Sequence, residues 1–205
     1  MDNWEWWYSI SIIHSQLLIP VAIRKKKDSS IVVGAKDLKE KKLDAFLSSG
    51  STGALVAAGV FVVRRIKGIE RPSLPAFLPT GGKKQPTIFL DVGANIDTKV
   101  EHMVENAKIA NIYSKTVFGV ESPKIALLNI GTEAKKGTDL YRETYAKLAE
   151  DTTLNFVGNT EARDVLTTDV DVIVMDGFTG NMVLKSVEGT LKYFGSSLKS
   201  IFKSN

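Results

Sequence analysis

The 205-residue chain has no cysteine and two histidines, His14 and His102; its formal net charge is +4 and 43% of its residues are hydrophobic. Those numbers exclude disulfides, a thiolate nucleophile and Cys-ligated zinc, and they argue against a His-based metal site or a Ser-His-Asp triad. They allow one large globular domain, or one and a half, with a real buried core.

Residues 1–19 read as an atypical N-terminal segment. All three tryptophans lie there, at Trp4, Trp6 and Trp7, and Ile10 to Ile13 alternate like a strand. Asp2 and Glu5 stand where a signal peptide needs positive charge, so a cytoplasmic chain is expected. From Pro20 onward the pattern becomes regular, and residues 20–205 read as one α/β core. Ser29 and Ser30 can cap a helix through Val32, Ala35 and Leu38. A strand is expected at Leu43 to Leu47, then an apolar helix from Thr52 to about Ile66. The longest apolar run, Ala54 to Val63, is too short to span a bilayer and reads as a helix buried between layers.

A proline-rich connector, Arg71 to Thr80, leads to a strand at Thr87 to Asp91. The next helix sets Val100, Met103, Val104, Ala107 and Ala110 on one face, with His102 on the polar side as a surface histidine. Then follow a strand at Ile125 to Asn129, a helix at Asp139 to Glu150, a strand at Leu154 to Val157 and a short helix from Glu161. A strand at Val172 to Met175 and a long helix from Thr179 end the series. Strands alternating with helices indicate an α/β fold with a largely parallel sheet and flanking helices. In the last helix Leu184, Val187, Leu191, Phe194, Leu198 and Ile201 form a narrow seam beside Lys185, Lys192 and Lys199. Two readings stand: a helix packed on its own sheet, or a dimer helix with lysines open to an acidic partner.

Five apolar runs end in glycine and small polar residues: LDAFLSSGSTG, IFLDVGAN, IALLNIGTE, LNFVGNTE and VIVMDGFTGN. Strand tips of a parallel sheet share one edge, where helix N-termini carry unpaired N–H groups and partial positive charge, an arrangement suited to phosphate. Neither a Walker lysine motif nor GxGxxG is present, which disfavours a P-loop ATPase and a Rossmann dehydrogenase. The expected chemistry is a reaction in which the bound anion is itself the nucleophile. Lys136 would hold its charge, and Asn181, Thr132 and Asn159 would orient it. Asp91 and Asp176, at strand ends, either orient those donors or cap helices. The basic clusters at Arg24 to Lys27, Arg64-Arg65, Lys83-Lys84 and Lys135-Lys136 are solvated loops or contacts for phosphate or an acidic protein. No basic stripe interleaves aromatics, so no nucleic-acid partner is expected.

SSGSTGAL, RRIKGIERP, LPT, LDVGANID, EHMVENAKIA, LLNIGTEAKKG, NFVGNTEARD and DGFTGNMVLKSVEGT occur in this order. Together they resemble the phosphate acyltransferases of the PlsX type, from about Pro20 to the end. The resemblance implies an isocitrate/isopropylmalate dehydrogenase-like fold. It also implies acyl transfer from acyl-acyl carrier protein to inorganic phosphate, giving acyl phosphate for phospholipid synthesis. It implies a homodimer, in the cytoplasm or peripheral to the inner face of the membrane, with no metal or redox cofactor. Carried over by motif, Lys136 and Asn181 are the expected catalytic residues. Ser51, Thr52, Asn95, Thr132, Asn159, Asp176 and Thr179 are expected around the substrate and phosphate.

Ser51 stands where the family has asparagine, and Ile96 where it has a smaller residue. The family's DAMGGD-like first strand has no counterpart here, and the family continues beyond Asn205. The chain is therefore expected to be a central piece of such an acyltransferase, inactive as written. The alternatives are a non-catalytic remnant that dimerises or binds carrier protein, and a phosphotransacetylase-like enzyme using acyl-coenzyme A.

Overall fold

The computed structural model describes residues 23–81 and 83–203, which fall into two compact units divided between Pro72 and Ser73. The readings made on residues 1–22 lie outside the described residues.

In the first unit, helix α1 (Ser30–Lys39) begins directly after Ser29, whose hydroxyl donates to the Lys26 carbonyl (2.9 Å) rather than accepting from the helix. Helix α2 (Thr52–Ala58) continues as a π-helical turn, Gly59–Val63. Ile31, Val32 and Ala35 of α1 pack with Ala54, Ala57 and Ala58 of α2 and with Ile23. This corrects two expectations. The apolar helix buries one small-residue side against α1 rather than lying between layers, and it ends at Val63. Leu43 to Leu47 forms no strand: among the described residues no strand pairs with it, Leu47 is almost fully exposed, and Phe46 folds its ring over Gly34 instead.

The second unit is built on a five-stranded sheet in the order β1-β2-β5-β3-β4. The strands are β1 (Pro75–Leu78), β2 (Thr87–Leu90), β3 (Lys124–Asn129), β4 (Asn155–Glu161) and β5 (Val172–Val174). All neighbours are parallel except β1, which runs antiparallel to β2 at the edge. The sequence reading took Pro75–Leu78 as connector. An edge strand tolerates proline as its first residue, because the missing N–H need not serve a second neighbour.

Helices α3 (Val100–Phe118) and α4 (Asp139–Glu150) cross over between strands. α3 stops at Gly119, which takes a left-handed φ of 68°. Alternate strand residues serve opposite faces. Ile88, Leu90, Ile125, Leu127, Val172 and Val174 bury against Met103, Ala107 and Ala110 of α3 and Leu148 of α4. Phe89, Ala126, Leu128 and Ile173 face the other side, where Val183, Leu184 and Val187 of α5 (Gly177–Lys203) cover them. The unit is thus a three-layer α/β structure.

Three further readings change. His102 is buried, not on the surface, and its Nδ1 accepts the Lys99 N–H at 3.3 Å in a capping box at the start of α3. VGNTE is not a strand tip. The register of β3 and β4 shifts at Ile125/Ala126, Gly158 takes φ 100°, and β4 runs on to Glu161. The last helix packs on its own sheet only through its first turns, while Leu191, Phe194, Leu198 and Ile201 are exposed. No helix among the described residues is long and apolar enough to cross a membrane.

Candidate functional site

The carboxyl ends of β2, β5, β3 and β4 form one edge of the second unit. Of the five glycine-bearing runs, DVGAN, NIGTE and DGFTGN emerge there. SSGSTG belongs to the other unit, where Ser51 precedes α2 and Thr52 opens it, both exposed.

The turn after β2 is organised by Asp91. Its carboxylate is fully buried; Oδ1 accepts the N–H of Leu74 (3.1 Å), Gly93 (3.0 Å) and Ala94 (2.9 Å). Oδ2 accepts the backbone N–H and the side-chain amide of Asn95, each at 2.9 Å. The sequence reading supposed that the tip N–H groups stand open to an anion. In this turn they are already held by an internal one. Asn95 is likewise committed: its carbonyl accepts the Gly177 N–H (3.0 Å) and the Thr98 hydroxyl (3.0 Å).

Asp176 does for α5 what Asp91 does for its turn. Oδ1 accepts the Thr179 N–H (2.9 Å), and Oδ2 accepts the Thr179 hydroxyl (2.6 Å) and the Tyr141 hydroxyl. Asp176 is therefore the N-cap of α5, and its acid complements the positive end of the helix. Burial, and after it the hydrogen bond to the Asp176 carboxylate, pushes the Tyr141 phenol well above its ordinary value.

Two glycines let α5 cross the Asp91 turn at close range. A Cβ on Gly180 would overlap the Asp91 carbonyl oxygen, and one on Gly177 would overlap the carbonyl of Asn95. That approach lays Asn181 over Gly93, whose own Cβ position is 3.5 Å from Asn181 Cβ. Asn181 is exposed, and its amide makes no hydrogen bond among the described residues.

The loop after β3 carries Lys136. Asn129 pins both ends of it: Nδ2 donates to the Lys136 carbonyl (3.1 Å), and Oδ1 accepts the Ile130 N–H (2.8 Å). Asn159 of β4 donates to the Glu133 carbonyl (2.9 Å) and so ties the loop to the neighbouring strand. The Lys136 stem folds over Gly131, and its ammonium lies 3.9 Å from Glu133, about half exposed. Thr132 is exposed on the same loop. Gly137 at φ 88° closes the loop where a side chain would strike Asn129 Oδ1 at 2.7 Å and Tyr141 Cβ at 2.9 Å.

Two groups of nominated residues result. Lys136, Thr132 and Asn159 share the β3 loop; Asn95, Asp176, Thr179 and Asn181 share the crossing of α5 over the β2 turn. Tyr141, on the first turn of α4, joins the two groups through Asp176, and sequence reasoning did not single it out. Lys83, weighed as a phosphate contact, is engaged elsewhere, with Asp171 Oδ1 at 2.6 Å and the Val170 carbonyl at 2.7 Å.

In fold, the chain is similar to two solved structures. A phosphotransacetylase from Streptococcus pyogenes superposes with a TM-score of 0.58 at 19% identity, over 80% of this chain and 59% of that one. A branched-chain phosphotransacylase from Enterococcus faecalis V583 superposes with a TM-score of 0.53 at 17% identity, over 86% and 66%. The chain belongs to the family described as "Fatty acid synthesis protein", whose sequence model matches residues 8–205. It is 50% identical over 184 residues to proteins named phosphate acyltransferase from Staphylococcus aureus strains RF122 and MSSA476. That match covers 90% of this chain but 56% of theirs, so the chain spans little more than half the length of these relatives.

Proposed function

We propose that this chain serves acyl transfer to inorganic phosphate. In the reaction a phosphate oxygen attacks the carbonyl carbon of an acyl thioester. The carbonyl π pair moves onto its oxygen, then returns as the C–S bond breaks, releasing acyl phosphate and a thiolate. A thiol with a pKa near 8.5 leaves without strong acid help, and phosphate is already anionic at neutral pH. The site must therefore place the reactants and hold charge. The donor in this reading is acyl-acyl carrier protein, the product feeds phospholipid synthesis, and the working form is a cytoplasmic homodimer that can rest on the membrane.

The observation that carries the reading is the division of labour at the sheet edge. Asp91 and Asp176 occupy the N–H groups of their own turns. The groups left for a substrate anion are the Lys136 ammonium, held only loosely by Glu133, the Thr132 hydroxyl and the Asn181 amide. Lys136 supplies the countercharge in this reading, and Asn181 hydrogen-bonds the developing oxyanion.

The test is acyl phosphate release from phosphate and acyl-carrier protein, with acyl-coenzyme A assayed in parallel. Lys136→Ala loses a charged hydrogen bond worth roughly 1.5–3 kcal/mol, which is about tenfold or more in rate. Release at unchanged rate and phosphate dependence removes Lys136 from the mechanism. Preference for the coenzyme A thioester reassigns the donor. If neither donor turns over, line broadening of inorganic phosphate in 31P spectra that vanishes in Lys136→Ala identifies a remnant that still binds.

A further inference from the structure

The start of α5 is fastened to the rest of the second unit on two sides. On one side the Gly177 N–H donates to the Asn95 carbonyl (3.0 Å), and Gly180 lies against the Asp91 turn. On the other side stands Asp176, which is buried and whose carboxylate accepts from three donors. Two of them, the N–H and the hydroxyl of Thr179, belong to the same turn and travel with it. Among the described residues, the Tyr141 hydroxyl is the one donor that reaches Asp176 from another element. The same oxygen accepts the Asp176 backbone N–H at 3.5 Å. One phenol therefore holds both the side chain and the backbone of the N-cap residue.

Tyr141 is itself anchored at its other end. Its body packs on the core that Ile88, Leu90, Ile125, Leu127 and Leu148 share. Its Cβ lies only 2.9 Å from where a Cβ on Gly137 would stand, so it sits against the glycine that closes the Lys136 loop. The residue thus spans from that loop to the turn that launches Asn181. Packing alone would be served by phenylalanine. What the hydroxyl adds is the grip on Asp176: without it, Oδ2 of a buried carboxylate keeps only the Thr179 hydroxyl. Burial, and after it the hydrogen bond to Asp176, keeps the phenol protonated at neutral pH, so it stays a donor there.

We infer that Tyr141 is a positioning residue: by clamping Asp176 it fixes the first turn of α5, and with it the place of Asn181 beside the Lys136 loop. In the acyl transfer proposed above, on which the kinetic consequence rests, Tyr141 touches neither reactant and acts through Asn181. An oxyanion donor is effective when it is held in place before the charge develops, and a displacement of about an ångström can cost on the order of a hundredfold. Retention of phosphate by Lys136 does not depend on Tyr141, because that loop is pinned by Asn129 and Asn159.

The test is Tyr141→Phe in the full chain, with Tyr145→Phe, one turn further along α4, as a control that removes the same atom. Amide hydrogen exchange followed by NMR reads the positioning without any reaction. In Tyr141→Phe the Thr179 and Gly180 amides should exchange about tenfold faster or more, while those of Leu127 and Ile173 in the sheet keep their wild-type rates. Tyr145→Phe should change neither set. Exchange unchanged at Thr179 and Gly180, or raised alike across the sheet, overturns the inference. Steady-state kinetics reads the consequence: kcat should fall about tenfold, with the KM for phosphate within about twofold of wild type. In an Asn181→Ala background the same substitution should alter kcat by less than about twofold, because the group it positions is gone. A loss that recurs in full in that background, or one confined to KM, overturns action through Asn181. A wild-type chain that turns over neither acyl-carrier protein nor acyl-coenzyme A defeats the proposed reaction, and exchange at Thr179 and Gly180 still decides whether Tyr141 positions the turn.

Discussion

Gly180→Ala and Gly189→Ala make the same change in one helix with opposite expected signs. Both glycines lie inside α5, where alanine is favoured by up to about 1 kcal/mol on propensity alone. At Gly189 an added Cβ meets open space, so the propensity gain stands. At Gly180 the added Cβ would lie 3.0 Å from the Asp91 carbonyl carbon and 3.0 Å from Met175 Cγ, and would overlap the Asp91 oxygen outright. Ordinary carbon contacts are about 3.5–4.0 Å. The obstructing atom is backbone, and its residue is fixed by the hydrogen bonds of the Asp91 carboxylate, so it cannot rotate aside.

The helix must therefore back away. Overpacking of this kind costs typically 1–3 kcal/mol, more than the propensity term returns. For a chain of this size each kcal/mol moves the melting temperature by about 2–4 °C. With a net cost of about 1–2 kcal/mol, Gly180→Ala should melt lower by roughly 2–8 °C, and Gly189→Ala should melt higher by up to about 4 °C. Thermal unfolding followed by far-ultraviolet circular dichroism reads both. Because Asn181 moves with the helix, the proposed phosphate-dependent acyl transfer, where it can be measured, should also fall by about a hundredfold at Gly180→Ala. A Gly180→Ala protein that melts with wild type would show that α5 does not rest on the Asp91 turn.

The remaining predictions concern charge, titration and assembly. Tyr141→Phe tests the raised phenol: the protonated form is favoured in the fold, so its stabilisation is complete below the ordinary value of 10.0 and is lost as pH rises above it. Wild type should lose up to about 1.4 kcal/mol per pH unit above pH 10 that Tyr141→Phe does not lose; parallel denaturation curves from pH 8 to 11 would disprove the contact. Lys83→Met leaves Asp171 without its cation in a site where both side chains are less than one-fifth exposed. The cost should be about 2 kcal/mol, read as a drop of roughly 4–8 °C in melting temperature, and no change would make the pair dispensable. If the exposed seam of α5 is the contact of the proposed homodimer, Leu191→Asp with Phe194→Asp should leave a folded monomer by sedimentation; a variant that stays dimeric would place the interface elsewhere.

Most of the second unit was legible because its strands are apolar runs flanked by amphipathic helices. The α4 boundaries, Asp139 and Glu150, and the buried face of α3 follow directly from helical spacing. Leu43 to Leu47 has the same local signature as β2, yet a strand exists only where a neighbour completes its ladder, and no local window reports that. Pro75 and Pro79 disguised an edge strand. His102 falls off the apolar stripe but is drawn in by its bond to the Lys99 N–H, a terminus effect that periodicity does not weigh.

At the site, the glycines of DGFTGN could be read as turn chemistry. Their structural reason is the passage of α5 over the Asp91 turn, which depends on tertiary geometry. Tyr141 escaped notice because its hydroxyl meets a carboxylate 35 residues away, and a tyrosine one turn into an amphipathic helix looks like core. Lys136 and Asn181 came from motif and from the search for unassigned donors; their spacing in the chain carries no signal that they belong together.

The two buried acids bear on how this edge could tolerate an anion at all. A turn that offers three consecutive N–H groups, or a capped helix start, is an anion site only while those donors are unspent. Asp91 and Asp176 spend them, and they place negative charge beside the same edge. A phosphate arriving there meets repulsion unless a cation offsets it and the acids stay saturated by donors. Asp91 has five such donors; Asp176 has Thr179 twice and Tyr141. Saturation spreads each carboxylate's charge into backbone dipoles and fixes the carbonyls and side chains around it. The acids then act as rigid internal braces, and in the proposed reading specificity for an anion falls to the few groups held out from them: a lysine on a loop pinned by Asn129 and Asn159, and an asparagine carried over Gly93 by two glycines that permit the crossing.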